Sequence, residues 1–243
     1  MADTLKLQCA NKPLMVAHRG VSGLEKENTN AAFIAAGNRS YYGIETDVRL
    51  VKDGTYVCIH DANTERVAGD NVVAEDCSYE LLRKIRLFDR DGVKGREDLC
   101  LPTMIDYIQT CKRYEKVAVL ELKSNFTVEN MAEMCNIIES LGWLENTVFI
   151  AFGFQNLVNL REVRPQQAAQ YLISKEFDAD DLCAKLNEYN LDLDIYHGSL
   201  TKELLDRVHA DGHKVNVWTV DTLEVAEKMA EYGVDFITSN IIE

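Results

Sequence analysis

The sequence predicts an α/β fold, a TIM (β/α)8 barrel with an inserted hairpin and a small subdomain after its second strand. Three observations carry this reading. Short apolar runs recur about every 20 to 30 residues, room for one strand plus one helix, and eight such units suit a barrel of this length. The segments between runs place apolar residues at helical spacing, and strand–helix alternation implies a parallel sheet. The gap from Val48 to Val117 is far longer than the others and opens on an Asp53-Gly54 turn signal. The competing fold, an open doubly wound sheet, usually has fewer strands.

The first strand is the run Leu14–Ala17, closed by His18-Arg19. Asn28-Thr29-Asn30 then caps a helix that begins at Ala31-Ala32-Phe33. The second strand is Gly43–Val48, and Lys52-Asp53-Gly54-Thr55 folds Tyr56–His60 back antiparallel upon it. Counting outward from that turn sets Glu45 and Asp47 roughly opposite His60 and Asp61. Residues 52 to 101 form one enlarged loop, with a short helix from Ser78, and Pro102 starts a helix over 103–113. The third strand is Val117–Leu122. Val128, Met131, Met134, Cys135 and Ile138 make the apolar stripe of the next helix. Strands follow at Thr147–Phe152, Ala169–Ile173, Leu193–Tyr196, Val215–Thr219 and Asp235–Thr238. Gly212 ends the helix of Leu204, Leu205 and Val208, and Gly233 ends that of Val225, Ala226 and Met229. No eighth helix is expected, so residues 1–12 are assigned to closing the barrel bottom.

Residues 1–243 read as a single domain: 47% hydrophobic content supports one sizeable core, and no Gly/Ser/Pro-rich linker divides it. A net charge of -14 repels nucleic acid and anionic membranes, so neither is an expected partner. No apolar run approaches the ~18 residues of a membrane span. The seven cysteines are odd in number and form no C-x-x-C, which points to a reducing compartment and a cytoplasmic location. Nothing in the sequence specifies an oligomeric state.

The chemistry lies at strand ends, where TIM-barrel sites form. Alternate residues of a strand share a face, so Glu45 and Asp47 point together, as do Glu121 and Lys123. Glu45, Asp47 and Glu121 are candidate ligands for one divalent cation; hard oxygen donors suit Mg²⁺ or Ca²⁺, with Mn²⁺ also possible. Singly, each would more often be a salt-bridge partner. His18 and His60 are the acid/base candidates, because imidazole titrates near neutrality. Arg19 and Lys123 suit phosphate oxygens or, more simply, offset the neighbouring carboxylates. Trp218 is a wall for the substrate's carbon skeleton or a packing residue. Glu27 and Asn28 reach the site if the turn after His18 is short. Together these residues describe metal-assisted cleavage of a phosphate ester.

The set resembles the glycerophosphodiester phosphodiesterase family, from His18-Arg19-Gly20 through Glu27-Asn28-Thr29, Glu45-x-Asp47, Lys52-Asp53-Gly54, His60-Asp61, Leu101-Pro102-Thr103, Glu121-Leu122-Lys123 and Val217-Trp218-Thr219-Val220 to Gly233–Thr238. The resemblance implies metal on Glu45, Asp47 and Glu121, acid/base catalysis by His18 and His60, and phosphate on Arg19 and Lys123. It implies a small-molecule substrate, hydrolysed to glycerol 3-phosphate and an alcohol. The chain departs from the family at Lys26, Val51, Ala151 and Ser239-Asn240; the last two bear on the alcohol accepted. Rival readings are a lysophospholipase D-like enzyme with an apolar lip at Phe88 or Phe152–Phe154, a Schiff-base aldolase using Lys123, and a catalytically silent phosphodiester-binding barrel.

Overall fold

The computed structural model describes residues 3–243. Among the described residues nine strands form one sheet, and pairing of its first two strands with each other closes it. Eight are parallel and make the barrel: β1 (Leu14–Ala17), β2 (Gly43–Leu50), β4 (Val117–Leu122), β5 (Thr147–Ala151), β6 (Ala169–Ile173), β7 (Asp192–Tyr196), β8 (Val215–Trp218) and β9 (Phe236–Ser239). The ninth, β3 (Tyr56–Cys58), runs antiparallel on β2, with Val48 opposite Cys58 and Leu50 opposite Tyr56. This is the TIM barrel with its hairpin after the second strand.

Seven helices connect the barrel strands: α1 (Asn30–Gly37), α4 (Met104–Arg113), α5 (Val128–Ser140), α6 (Phe154–Val163), α7 (Ala179–Tyr189), α8 (Lys202–Ala210) and α9 (Leu223–Tyr232). Thr29 caps α1, accepting from Ala32 N. Gly233 ends α9 with φ at 90°, in the left-handed region where glycine carries no Cβ penalty. Pro102 is not the first residue of α4. Thr103 is the N-cap, in a reciprocal capping box with Asp106, so Pro102 lies one residue outside the helix.

The excursion between β2 and α4 carries two short helices, α2 (Glu65–Ala68) and α3 (Tyr79–Leu82). Ser78 is the N-cap of α3. The excursion has its own apolar cluster, including Val57, Ile59, Val67, Leu82, Leu87, Leu99 and Leu101, all buried and separate from the main core. The main core lies between barrel and helices. Inside the barrel, Val16, Val119, Ile150 and Leu172 make a small apolar plug. The facing wall is polar: Gln170, Asp194, Asn216 and Thr238 are all buried.

No helix follows β9 among the described residues. Instead, Leu5 pairs in parallel with Ile242, and Leu7 N donates to Glu243 O at 3.0 Å. Glu243 accepts from Ser40 N at 2.7 Å and Ser40 Oγ at 2.8 Å, and also binds Thr4 and Lys6. Ser40 precedes β2, so the chain's two ends meet at the N-terminal end of the barrel, where residues 1–12 were expected. Residues 1 and 2 lie outside the described residues. No described helix is long and apolar enough to cross a membrane.

Candidate active site

Register builds the acidic cluster. Parallel pairing of β2 with β4 sets Asp47 directly beside Glu121 and Glu45 beside Val119, so the three carboxylates share the inner face. One oxygen from each lies within 4.8 Å of the others, and all three residues are buried. Burial and the neighbouring Asp47 push Glu121 up to about 7 and hold Glu45 well above the usual carboxylate range. Burial acts on Asp47 too, but Arg19, His60 and Lys123 outweigh it and keep Asp47 below its ordinary value.

Two cations offset part of this charge. Lys123 Nζ lies 2.8 Å from Glu121 Oε1 and 3.7 Å from Asp47 Oδ1. Arg19 Nε lies 3.3 Å from Asp47 Oδ2, and its backbone N donates to Glu45 Oε2 at 2.7 Å. That backbone bond needs a tight turn: Arg19 has φ 53° and Gly20 has φ 73°. A Cβ on Gly20 would sit 2.6 Å from Ala32 Cβ, so only glycine fits there. Asn28, also left-handed, donates from Nδ2 to Asp47 Oδ2 at 2.8 Å and accepts from Thr46 Oγ1 at 2.7 Å.

The two histidines arrive from different elements. His18 follows β1, and its Nδ1 meets Asn240 Oδ1 at 2.8 Å. Asn240 Nδ2 and backbone N both donate to Asp221, at 2.6 and 2.8 Å, which turns the Asn240 carbonyl toward the ring. His18 Nδ1 therefore carries the proton, and Nε2 keeps its lone pair. Burial, aided by Arg19, lowers His18 to about 4. His60 follows β3, past the bond from Ile59 N to Asp47 O that ends the hairpin ladder. Asp47 thus faces Ile59 and His60 lies one residue beyond. His60 Nδ1 pairs with Asp61 Oδ1 at 2.6 Å. Burial lowers the His60 pKa, against the upward pull of Asp47 and Asp61.

An ion ladder links the two halves. Asp61 Oδ2 takes Arg66 Nε at 2.7 Å; Arg66 forks onto Glu27 at 2.7 and 2.8 Å; Glu27 takes Arg19 Nη1 at 2.9 Å. Burial pushes Glu27 up, but Arg66 and Arg19 prevail and hold it at about 2.

His18, Arg19, Glu45, His60, Glu121 and Trp218 line one cavity of about 80 Å³ at the C-terminal ends of the strands. Asp47 and Lys123 join it through the contacts above. Trp218 stands edge-on to Phe152, centroids 5.6 Å apart. A larger groove of about 690 Å³ opens alongside, between the β1 loop and the inserted segment at Phe88–Gly92, with Lys26, Arg66 and Asn240 in its walls. Phe154 does not reach the mouth; it packs against Tyr171 and Tyr189. His197 stacks on Tyr196 outside the cavity, and His209 is paired with Asp235 on the surface. The sequence reading missed Asn240 and Asp221 behind His18, and Asp61 as the His60 partner. It also missed Asp194 on β7, a cavity residue whose carboxyl is held well above the usual range by burial and then by Glu121.

An eight-stranded barrel with an acidic cluster and two oriented histidines at its strand ends defines a class of hydrolytic site. Residues 18–243 match the sequence profile of the Glycerophosphoryl diester phosphodiesterase family, and the chain belongs to that family. It is 27% identical to a glycerophosphodiester phosphodiesterase of Caldanaerobacter subterraneus subsp. tengcongensis, with 94% of each chain covered. It is 26% identical to the putative glycerophosphodiester phosphodiesterase YhdW of Bacillus subtilis, covering 93% of each. An Oleispira antarctica phosphodiesterase, solved with the product sn-glycerol-3-phosphate, superimposes with a TM-score of 0.85 at 25% identity, over 94% of this chain and 93% of that one.

Proposed function

We propose that this enzyme hydrolyses glycerophosphodiesters to glycerol 3-phosphate and an alcohol, using a divalent cation held by Glu45, Asp47 and Glu121. The observation that carries this reading is the buried acidic triad itself. Asp47 Oδ1 is buried with no hydrogen-bond partner, and Lys123 at 3.7 Å is too far to supply one. An all-oxygen donor set with one orphaned oxygen fits Mg²⁺, Ca²⁺ or Mn²⁺. When bound, the cation supplies Lewis-acid stabilisation of charge on the phosphate.

The chain's own residues do the rest. Arg19 and Lys123 stand beside the triad and take the phosphate's non-bridging oxygens, Arg19 as a fork and Lys123 as a point charge. His18, neutral and with Nε2 unprotonated, serves as the base that takes a proton from the nucleophile. The nucleophile is either water or the substrate's own 2-hydroxyl, through a cyclic phosphate. His60, with Asp61 on Nδ1 to stabilise its imidazolium, protonates the departing alcohol. Trp218 walls the cavity, and the larger groove has room for the alcohol. A lipid-binding lip gains little support: of the candidate phenylalanines, Phe152 alone stands exposed at the cavity mouth. Lys123, engaged by two carboxylates, lacks the apolar setting of a Schiff-base lysine.

Turnover of glycerophosphocholine tests the reading. Chelation should abolish it and Mg²⁺ or Ca²⁺ should restore it; full activity after rigorous chelation refutes the metal role. His18→Ala and His60→Ala should each lower the rate ~10²–10⁴-fold. A loss under tenfold removes that histidine from catalysis.

A further inference from the structure

Among the described residues, two buried polar atoms on the barrel wall opposite the acidic triad lack a hydrogen-bond partner, besides Arg19 Nε and Asp47 Oδ1 at the triad itself. Asp194 Oδ1 and Trp218 Nε1 are both buried without a hydrogen bond, and both residues line the cavity. Asp194 is 1% exposed, and its neighbours in register are Leu172 on β6 and Asn216 on β8. Asn216 bonds the carboxyl, which opposes the upward push of burial, but its amide also contacts Gln170 and Thr238, and Oδ1 itself is left without a partner. A buried polar group left unpaired is costly, so such atoms mark where a ligand completes the bonding.

The pair selects a chemistry. One atom is an acceptor and the other is a donor only. A hydroxyl does both at once, giving its hydrogen to Oδ1 and accepting from the indole N–H. A phosphate oxygen answers only the indole donor and a cation only the carboxyl oxygen, whereas one hydroxyl answers both. The remaining walls are Ile150, Phe152 and Leu172, which suit carbon.

We propose that Asp194 is a specificity-determining residue that, with Trp218, binds a hydroxyl of the substrate's glycerol at the floor of the cavity. This rests on the glycerophosphodiester reading, and places the alcohol in the larger groove. The glycerol end is thereby chosen by hydrogen bonds made inside the barrel, away from the phosphate clamp.

The test compares product-like ligands. Inhibition constants are measured for sn-glycerol 3-phosphate and methyl phosphate, which lacks the hydroxyls, with wild type, Asp194→Asn and Asp194→Ala. Asp194→Ala should weaken glycerol 3-phosphate about tenfold or more relative to methyl phosphate. Asp194→Asn keeps an acceptor oxygen and should recover most of that gap. Equal losses for both ligands overturn the assignment. So does a matching loss of Mg²⁺ or Ca²⁺ affinity by calorimetry, which would make Asp194 a metal ligand instead. If the Ala variant does not fold, Trp218→Phe decides: it removes the indole donor while keeping an aromatic wall, and it should weaken glycerol 3-phosphate relative to methyl phosphate, whereas an unchanged ratio overturns the assignment. Should no diester be turned over, the functional reading fails, while calorimetric binding of the two ligands still judges Asp194.

Discussion

Divalent cations should raise the melting temperature of this protein, and the triad's geometry sets how that rise behaves. Three carboxylate oxygens lie within 4.8 Å of one another in a buried setting, offset in part by Arg19 and Lys123. A cation that joins them binds the folded chain and finds no such arrangement in the unfolded one. Stabilisation then follows RT ln(1 + [L]/Kd), about 2.7 kcal/mol at a hundredfold excess over Kd. For a chain of 243 residues, each kcal/mol moves the midpoint about 2–4 °C, so the expected rise is about 5–11 °C. The assay is scanning calorimetry of chelated protein with stepwise Mg²⁺, Ca²⁺ or Mn²⁺ at fixed ionic strength. The rise should continue with the logarithm of cation concentration. Glu121→Gln should move that curve toward higher cation by at least the ~10–100-fold that loss of a ligand's hydrogen-bonding partner costs. No shift with any of the three cations at ~10 mM, well above the Kd of weak Ca²⁺ sites, refutes the metal reading. An identical shift in Glu121→Gln does the same.

Three further outcomes follow from packing and charge. Leu99→Ala empties part of the insertion's apolar cluster and should cost about 2–5 kcal/mol by urea unfolding, with His60 turnover falling as the hairpin loosens; a cost under about 0.5 kcal/mol would show the cluster is not packed as described. Arg66→Ala breaks the ladder between Asp61 and Glu27, yet Arg66 is 46% exposed and such pairs contribute about 0–1 kcal/mol. Its melting temperature should therefore barely move while kcat drops; the reverse pattern would make the ladder a stability device. Glu243 is held at about 2, chiefly by its hydrogen bonds to Lys6, Thr4 and Ser40 acting against burial. Its folded value is below its unfolded one, so its contribution is full above the unfolded value and is lost as pH falls through about 2. The gap in melting temperature between wild type and Glu243→Gln should thus be full at neutral pH and close under strong acid; a constant gap means the charge contributes nothing.

Strand-end pairs were legible because a period of two is a local property. Glu45 and Asp47 must face together wherever β2 lies, and the Asp-Gly turn fixes His60 relative to them within a residue. Residues that meet through closure left no such trace. Asn240 reaches His18 because β9 pairs with β1, a contact between the two ends of the chain. Asp194 was hidden for a different reason. In Asp192-Leu193-Asp194-Ile195-Tyr196 the alternation resembles a strand with its polar face in water. In a barrel whose outer face is covered by helices, Leu193 and Ile195 turn outward to that cover, and both join the main core. The aspartates turn inward. The apolar run marked the strand, and nothing local in the sequence says which way Asp194 faces. At α4, Pro102 suggested a helix start because proline suits a first turn, but the Thr103–Asp106 capping box fixed the boundary one residue later.

The site divides labour between a rigid part and an attached part. Glu45, Asp47, Glu121 and Lys123 stand on or just past adjacent barrel strands, where the hydrogen-bond register fixes their spacing. His60 has no such support, since the hairpin ladder ends at Ile59, one residue before it. Its position depends on Arg49, which donates from Nε and Nη2 to the His60 carbonyl at 3.2 and 2.9 Å, and on Asp61 at its ring. Asp61 in turn is tied through Arg66 and Glu27 to Arg19, a residue whose own backbone contacts Glu45. Displacing the inserted segment would therefore disturb His60 and Arg19 together, the residues proposed as acid and phosphate clamp. A general acid must meet its leaving group at hydrogen-bond distance, and an error of about 1 Å can cost ~10²-fold in rate. Coupling His60 to Arg19 through one ladder would, in the proposed roles, keep the proton donor in register with the phosphate, so that an element outside the barrel can serve chemistry fixed by the barrel.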